Sequence, residues 1–357
     1  MNGDLQRIIP VVAVAGFLAC AFGLWLDAKA MLASYLVAWF SVSAIPIGAL
    51  GVLFTSYLVR GGWTRDLHEP LTAAALTLPV VGILFIPVAA GTGWLYPWAA
   101  DATALPAFKA AYLTPWFFLL RSVSYFAIWT ILAVWAARSF GDDPAMTRAA
   151  SAGLIVWSLT ASLAGIDWLE SVEPQFHSSI YGLLAASFNL LAAFAFGLTA
   201  LLARRRGRQM SNASYAGVLL SVLLLWAYLH AMQYIIIWAG NIPEEVIWYT
   251  ARLADGWGVA LWLLFVGQFI VPFFMLLSER VRSSTRALLA LAAATLVFRY
   301  LEAAVLILPP LHIRPLALLV GLPVATIATG AAWLIARQHA LPIWQRWSGS
   351  ATPAHQP

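Results

Sequence analysis

Two ionisable residues three positions apart, Arg299 and Glu302, stand in the middle of one long apolar run. On a helix that spacing puts both on one face, where each can neutralise the other. A charge at the centre of a membrane helix costs about 2.5–3.5 kcal/mol on insertion scales, so every such residue is a candidate for function. The pair reads either as part of a polar relay for protons or as a structural ion pair. Asn189 and Gln268 lie near the middle of other apolar runs and are the uncharged groups that can continue a hydrogen-bonded path. Together with Asp167 they complete the candidate relay.

Asp167, Glu170 and Glu173 recur every three residues until Pro174 interrupts the pattern, and His177 follows. On a helix this spacing aligns the carboxylates along one flank. Carboxylates beside a histidine at a membrane boundary can pass protons, because burial moves an acid toward neutral pKa. The same stretch also fits a hydrated loop that caps the next helix, with Glu173 and Ser178 as capping groups. Arg121, about two turns into its own run, either snorkels to the interface or is a functional charge within the membrane.

Several chemistries are excluded. The single cysteine, Cys20, permits neither an intramolecular disulfide nor a cysteine-ligated iron–sulfur cluster, and there is no CxxCH haem-attachment motif. Of six histidines only His230 falls deep within an apolar run, without a second histidine to face it across a haem. The net charge of +5 comes from Lys and Arg scattered through short connections, a topology signal and not a nucleic-acid surface.

The elements that position these residues are membrane helices. Hydrophobic residues make up 62% of the chain and charged residues 10%, against roughly 25% charged in soluble domains, so lipid is the solvent for most of this surface. A span needs around 20 apolar residues. Such runs occur near 8–26, 31–59, 71–91, 115–137, 149–167, 178–203, 213–239, 256–278, 287–308 and 313–337. The expectation is an all-α integral membrane fold of about ten transmembrane helices, a single polytopic domain over 1–347, with a disordered tail at 348–357. The first run lacks a small-residue cleavage pattern and reads as a retained helix.

Alternate connections are basic: Arg60 and Arg65; Arg138 and Arg148; Arg204, Arg205, Arg206 and Arg208; Arg280, Arg282 and Arg286. The others carry Asp101, then Asp167, Glu170 and Glu173, then Glu244 and Glu245. Basic loops are expected inside, which puts both termini in the cytoplasm. Arg121, Asp167, His177, His230, Asp255, Arg299 and Glu302 then all fall in the external half of the membrane or at its boundary. The external segment starting Asn241-Ile-Pro-Glu-Glu predicts a short interfacial helix with Asn241 as N-cap and Pro243 in the first turn. The 18 tryptophans lie mostly near span ends and read as an interfacial belt.

Three blocks in order carry a resemblance. They are Asp167-Trp168, Ser171, Glu173-Pro174 and Ser178-Ser179; Gln233-Tyr234 with Trp238 and Asn241-Ile-Pro-Glu-Glu245; and Arg252 leading to Asp255-Gly256-Trp257 and Gly267-Gln268. The stretch from about 150 to 280 resembles the quinol:cytochrome-c oxidoreductase quinone-binding subunit 2 family, the second of two related membrane components of alternative complex III, within the NrfD-like polysulfide-reductase membrane-anchor superfamily. Family members commonly have His-Trp after the Glu-Pro, where this chain has Gln175-Phe176 and a later His177.

The resemblance implies two four-helix bundles plus flanking helices in the bacterial inner membrane. It implies a metal-free component of a respiratory complex, not catalytic alone, that supports quinol oxidation and takes part in proton conduction. The implied partners are a homologous NrfD-like membrane subunit and periplasmic iron–sulfur and multihaem cytochrome c subunits, which would hold the iron–sulfur clusters and haem c. For a quinone head group in this chain the candidates are His177, Asp167, Arg121 and Asp255. Glu170, Glu173, Glu244 and Glu245 are the candidates for docking partners. The competing expectations are a purely structural anchor of such a complex and an independent small-solute or ion transporter, for which Pro46, Pro79, Pro87 and Pro272 would permit kinks.

Overall fold

A computed structural model of the chain describes residues 3–59, 63–101, 103, 105–140, 143–204 and 212–348. Arg60, Arg205, Arg206, Arg208 and the tail from 349 onward lie outside the described residues. Within them the chain is almost wholly helical, and ten helices are long and apolar enough to cross a membrane. In hydrocarbon only a helix or a closed barrel satisfies every backbone polar group internally. The chain is an all-α multi-pass membrane protein.

The spans are α1 (Gly3–Leu26), α2 (Ala28–Val59), α3 (Thr64–Ala90), α4 (Pro115–Arg138), α5 (Asp143–Trp168), α6 (Tyr181–Arg204) and α7 (Ala213–Gly240). A short helix, α8 (Pro243–Leu253), precedes the last three spans, α9 (Trp257–Leu277), α10 (Thr285–Ile307) and α11 (Pro315–Trp347). Helices α2 to α5 pack as neighbours, α6, α7, α9 and α10 form a second group, and the α2–α6 contact joins the two. Helix α1 lies along α11, which packs on α2 and α3. One end of this body carries Asp101, Glu170, Glu173 and Glu244, and is called the acidic end below.

Prolines explain where α3 departs from one continuous helix. It is interrupted before Pro79 and again before Pro87, because a proline offers no N–H and disfavours helical geometry in the residue ahead of it. Carbonyls freed at these breaks cannot remain bare in lipid. Trp39 Nε1 donates to the Val81 carbonyl at 3.1 Å and Tyr35 Oη to the Leu84 carbonyl at 2.9 Å, both from α2. Trp333 of α11 donates to Thr77 Oγ1 at 3.0 Å. In α9 the break takes another form: Leu264–Ile270 winds as a π-helix just ahead of Pro272. Pro272 cannot donate to the Gln268 carbonyl and its ring crowds it, and a wider turn relieves both.

Some expectations require correction. Asn241 does not cap the start of α8; it closes α7 in the left-handed conformation, at φ 45°, and Ile242 stands at the head of α8. The tryptophans are not all belt residues. Trp39, Trp157, Trp168, Trp226 and Trp333 are buried, each with its indole N–H hydrogen-bonded inside the protein. The third span begins at Thr64, the fifth at Asp143, and the tenth runs on to Trp347 through Pro342.

Candidate functional site

The first polar cluster joins α4 to α5. Asp167, fully buried at the end of α5, takes a bidentate pair from Arg121, with Nε to Oδ2 at 2.9 Å and Nη2 to Oδ1 at 2.8 Å. Tyr125, one turn beyond Arg121, adds its hydroxyl to Oδ2 at 2.7 Å. Arg121 also donates to the Tyr112 carbonyl at 2.9 Å and lies over the rings of Tyr112 and Phe117. Arg121 therefore does not snorkel; its charge is matched by Asp167.

The loop after α5 is clamped from two sides. Lys109, in the segment before α4, donates to the Pro174 carbonyl at 2.7 Å and the Phe176 carbonyl at 3.3 Å. Burial lowers the Lys109 pKa, with Glu170 opposing. Glu170 Oε1 accepts from Ser178 N at 3.1 Å, and its Oε2 is buried without a hydrogen-bond partner. On the other side Arg252 of α8 holds Glu173 at 2.8 Å. Burial raises the Glu173 pKa, with Arg252 opposing. Arg252 itself is 1% exposed and donates to the carbonyls of Trp248, Val305 and Leu306 at 2.8–3.0 Å. These bonds seat α8 across the acidic end of α10. Phe176 stacks on Trp248 in the same contact.

The third cluster lies deeper, between α7 and α10. Glu302 is 1% exposed and ion-paired with Arg299, one turn earlier on α10. Its carboxylate also accepts from Trp226 Nε1 at 3.0 and 3.2 Å and bonds His230 Nε2 at 2.9 Å. Trp226 and His230 are one helical turn apart on α7, so both reach the same carboxylate. Arg299 lies between the rings of Trp226 and Phe188, while its Nε and Nη2 have no hydrogen-bond acceptor. Asn189 Oδ1 and both carboxamide atoms of Gln268 are likewise buried without partners.

No protein-family model matches this chain, and no curated protein matches it.

Two adjoining cavities lead to the Glu302 cluster. The outer one, about 550 Å³, lies between α7 and α9 and is lined by Trp226, Tyr228, His230, Tyr234, Phe265, Phe269 and smaller apolar neighbours. The inner one, about 170 Å³, shares Trp226, His230, Tyr234 and Phe265 and runs beneath α8, bounded by Trp248, Tyr249 and Glu302. His230 lines both. Among the described residues no group of three or more His, Cys, Asp or Glu is arranged to hold a metal ion.

The structure thus brings together Arg299 with Glu302, as the spacing suggested, and pairs Arg121 with Asp167, which no spacing named. It does not gather Asp167, Arg121, His177 and Asp255 into one pocket. His177 is exposed and its ring bonds the Gln175 carbonyl of its own loop at 2.7 Å; Asp255 is exposed, at φ 50°, ahead of α9. Asp167, Glu170 and Glu173 do not share a flank, because the helix tightens to a 3-10 turn at Glu170–Val172 and each carboxylate takes a different partner. Glu170 and Glu173 are turned to internal bonds, whereas Glu244 is exposed and Glu245 half-buried. Residues with no assigned role from sequence alone, His230, Trp226 and Arg252, prove central. The turn spacing of Trp226 and His230 was a visible signal; the helix they face was not.

Proposed function

We propose that this chain is a metal-free membrane component of a respiratory quinol:cytochrome c oxidoreductase of the alternative complex III type, supporting quinol oxidation and the proton movement coupled to it. The observation that carries the reading is the buried Arg299–Glu302 pair with His230 and Trp226, at the end of an aromatic cleft, in a chain with three ordered sequence blocks resembling that family. A purely structural protein gains little from such a group, since replacing a buried ion pair by packed apolar residues is often neutral or stabilising. The burial of the polar side chains of Arg299, Gln268 and Asn189 supports a proton path on the same grounds.

In this reading the chain sits in the bacterial inner membrane with its basic loops and termini in the cytoplasm and its acidic end facing the periplasm. Glu244 and Glu245 on α8 are then on the face that meets periplasmic iron–sulfur and multihaem cytochrome c subunits, with a homologous ten-span subunit alongside in the membrane. Purification from native membranes in mild detergent tests this. The chain is expected to emerge with c-type haem and iron–sulfur absorbance; recovery as a lone polypeptide overturns it.

A further inference from the structure

We propose that the α7–α9–α10 cleft selects the reduced, hydroxyl-bearing form of its aromatic ring ligand over the oxidised dione, with His230 accepting the ring hydroxyl and Glu302 acting as its positioning residue. The proposal rests on the quinol-handling reading for the identity of the ligand.

The argument starts from Glu302. Its carboxylate accepts from Trp226 Nε1, which is a donor only, and is ion-paired with Arg299. An ionised carboxylate is acceptor-only, so the His230 nitrogen it meets at 2.9 Å, Nε2, carries the hydrogen. Arg299 already balances Glu302, and a further cation here would leave a net charge in hydrocarbon. The imidazole that keeps the cluster neutral is protonated on Nε2 alone. Nδ1, which forms no hydrogen bond with any described residue, is then a lone pair on a ring that lines both cavities.

At the His230 end of this largely aromatic cleft, the lone pair distinguishes two redox forms of one molecule. A quinol hydroxyl donates to Nδ1; a quinone carbonyl meets it lone pair to lone pair, and a site built for a donor rejects the analogue lacking it. The dimensions agree with such a ligand. The inner chamber of about 170 Å³ suits one substituted ring, and the outer cleft of about 550 Å³, lined by Phe265 and Phe269, suits an apolar tail. A lipid acyl chain would fill the outer cleft as well, but it would leave Nδ1 unsatisfied.

The test uses the full-length chain in lipid nanodiscs under anoxia, with a decyl-tailed benzoquinol and the matching benzoquinone as probes and tryptophan quenching as the readout. The wild type is expected to bind the quinol about tenfold more tightly than the quinone. His230→Leu should abolish the difference. Glu302→Gln, whose amide both donates and accepts, should narrow it. If Glu302→Gln does not fold, Phe265→Trp, which fills both cavities, should weaken both probes. Equal affinity for the two forms, an unchanged ratio in His230→Leu, or non-saturable partitioning indistinguishable from lipid overturns the proposal. Recovery from native membranes as a lone polypeptide, with selectivity intact in nanodiscs, would refute complex membership and leave this site standing; recovery within the full complex, with no selectivity in nanodiscs, would do the reverse.

Discussion

Arg252 and Glu173, 79 residues apart in sequence, meet at 2.8 Å and tie the short helix α8 to the loop between α5 and α6. Because Arg252 also serves three carbonyls, two of them at the end of α10, it fastens three elements at once. Removing one member of a buried pair costs about 3–5 kcal/mol. Arg252→Met is expected near that range, since it strips the carbonyls as well, and Glu173→Gln to be close to neutral, since burial already disfavours the charged carboxylate. Thermal unfolding in detergent checks the order; Glu173→Gln as damaging as Arg252→Met would show that the carbonyl bonds contribute little.

The same carboxyl gives the stability a pH dependence of definite sign. Burial raises the Glu173 pKa above its ordinary 4.5 despite Arg252. The folded state therefore holds the proton more tightly than the unfolded chain. Its contribution is fully present below the unfolded value and is lost as pH rises through the folded one. Stepping from neutral pH down toward about 4.5 should raise the unfolding temperature by an increment that Glu173→Gln lacks. An identical profile in wild type and variant would count against the assignment.

Arg121 and Asp167 should behave as one unit. Arg121→Gln leaves a buried carboxylate with only Tyr125, and Asp167→Asn leaves a half-buried guanidinium, so each alone is expected to cost roughly 3–5 kcal/mol. The double variant should cost clearly less than the sum, with an interaction of about 1–3 kcal/mol. Detergent unfolding of the four proteins measures it, and additive losses would mean that the bidentate geometry carries no coupling.

The fold was legible where a local rule decides it. Runs of about twenty apolar residues marked all ten spans, and the turn spacing of Arg299 and Glu302 marked a pair on one face. The ends were less legible: Thr64–Pro70 and the stretch before Trp347 are helical but too polar to count as span, because helices continue into the headgroup region. Contacts across helices were not legible at all. His230 meets Glu302 over 72 residues and Arg121 meets Asp167 over 46, and no periodicity in either helix names its partner. Hence the cleft at His230 emerged only from packing, while His177, closer in sequence to the acids, turned out to bond its own loop.

Orientation has a direct check, because the chain has one native cysteine, Cys20, which is buried. On a Cys20→Ala background, Glu244→Cys should react with a membrane-impermeant maleimide in intact spheroplasts. Arg286→Cys should react only after the membrane is opened. The reverse pattern would place the acidic end in the cytoplasm and remove the periplasmic docking face.

The seam between the two helix groups is tight at Gly48, where a hydrogen atom stands in place of a side chain. At Gly48, in α2, an added Cβ would lie 1.8 Å from the Asn189 carbonyl oxygen of α6 and 2.9 Å from the Ala193 side chain. The nearer atom is backbone, so no rotamer change can make room, and the helices would have to separate. Small residues permit such close crossings in membrane proteins, where packing replaces the hydrophobic drive between helices. Overpacking ordinarily costs about 1–3 kcal/mol, and a backbone clash belongs at the upper end or beyond. Gly48→Ala should therefore lower the unfolding temperature and the yield of monodisperse protein. Gly217→Ala, at a position of α7 with open space around it, should leave both unchanged. Because Asn189 lies on this seam, the separation should also disturb the buried polar path of which it is a candidate member. Equal behaviour of the two variants would show that α2 and α6 are not held as closely as the structure has them.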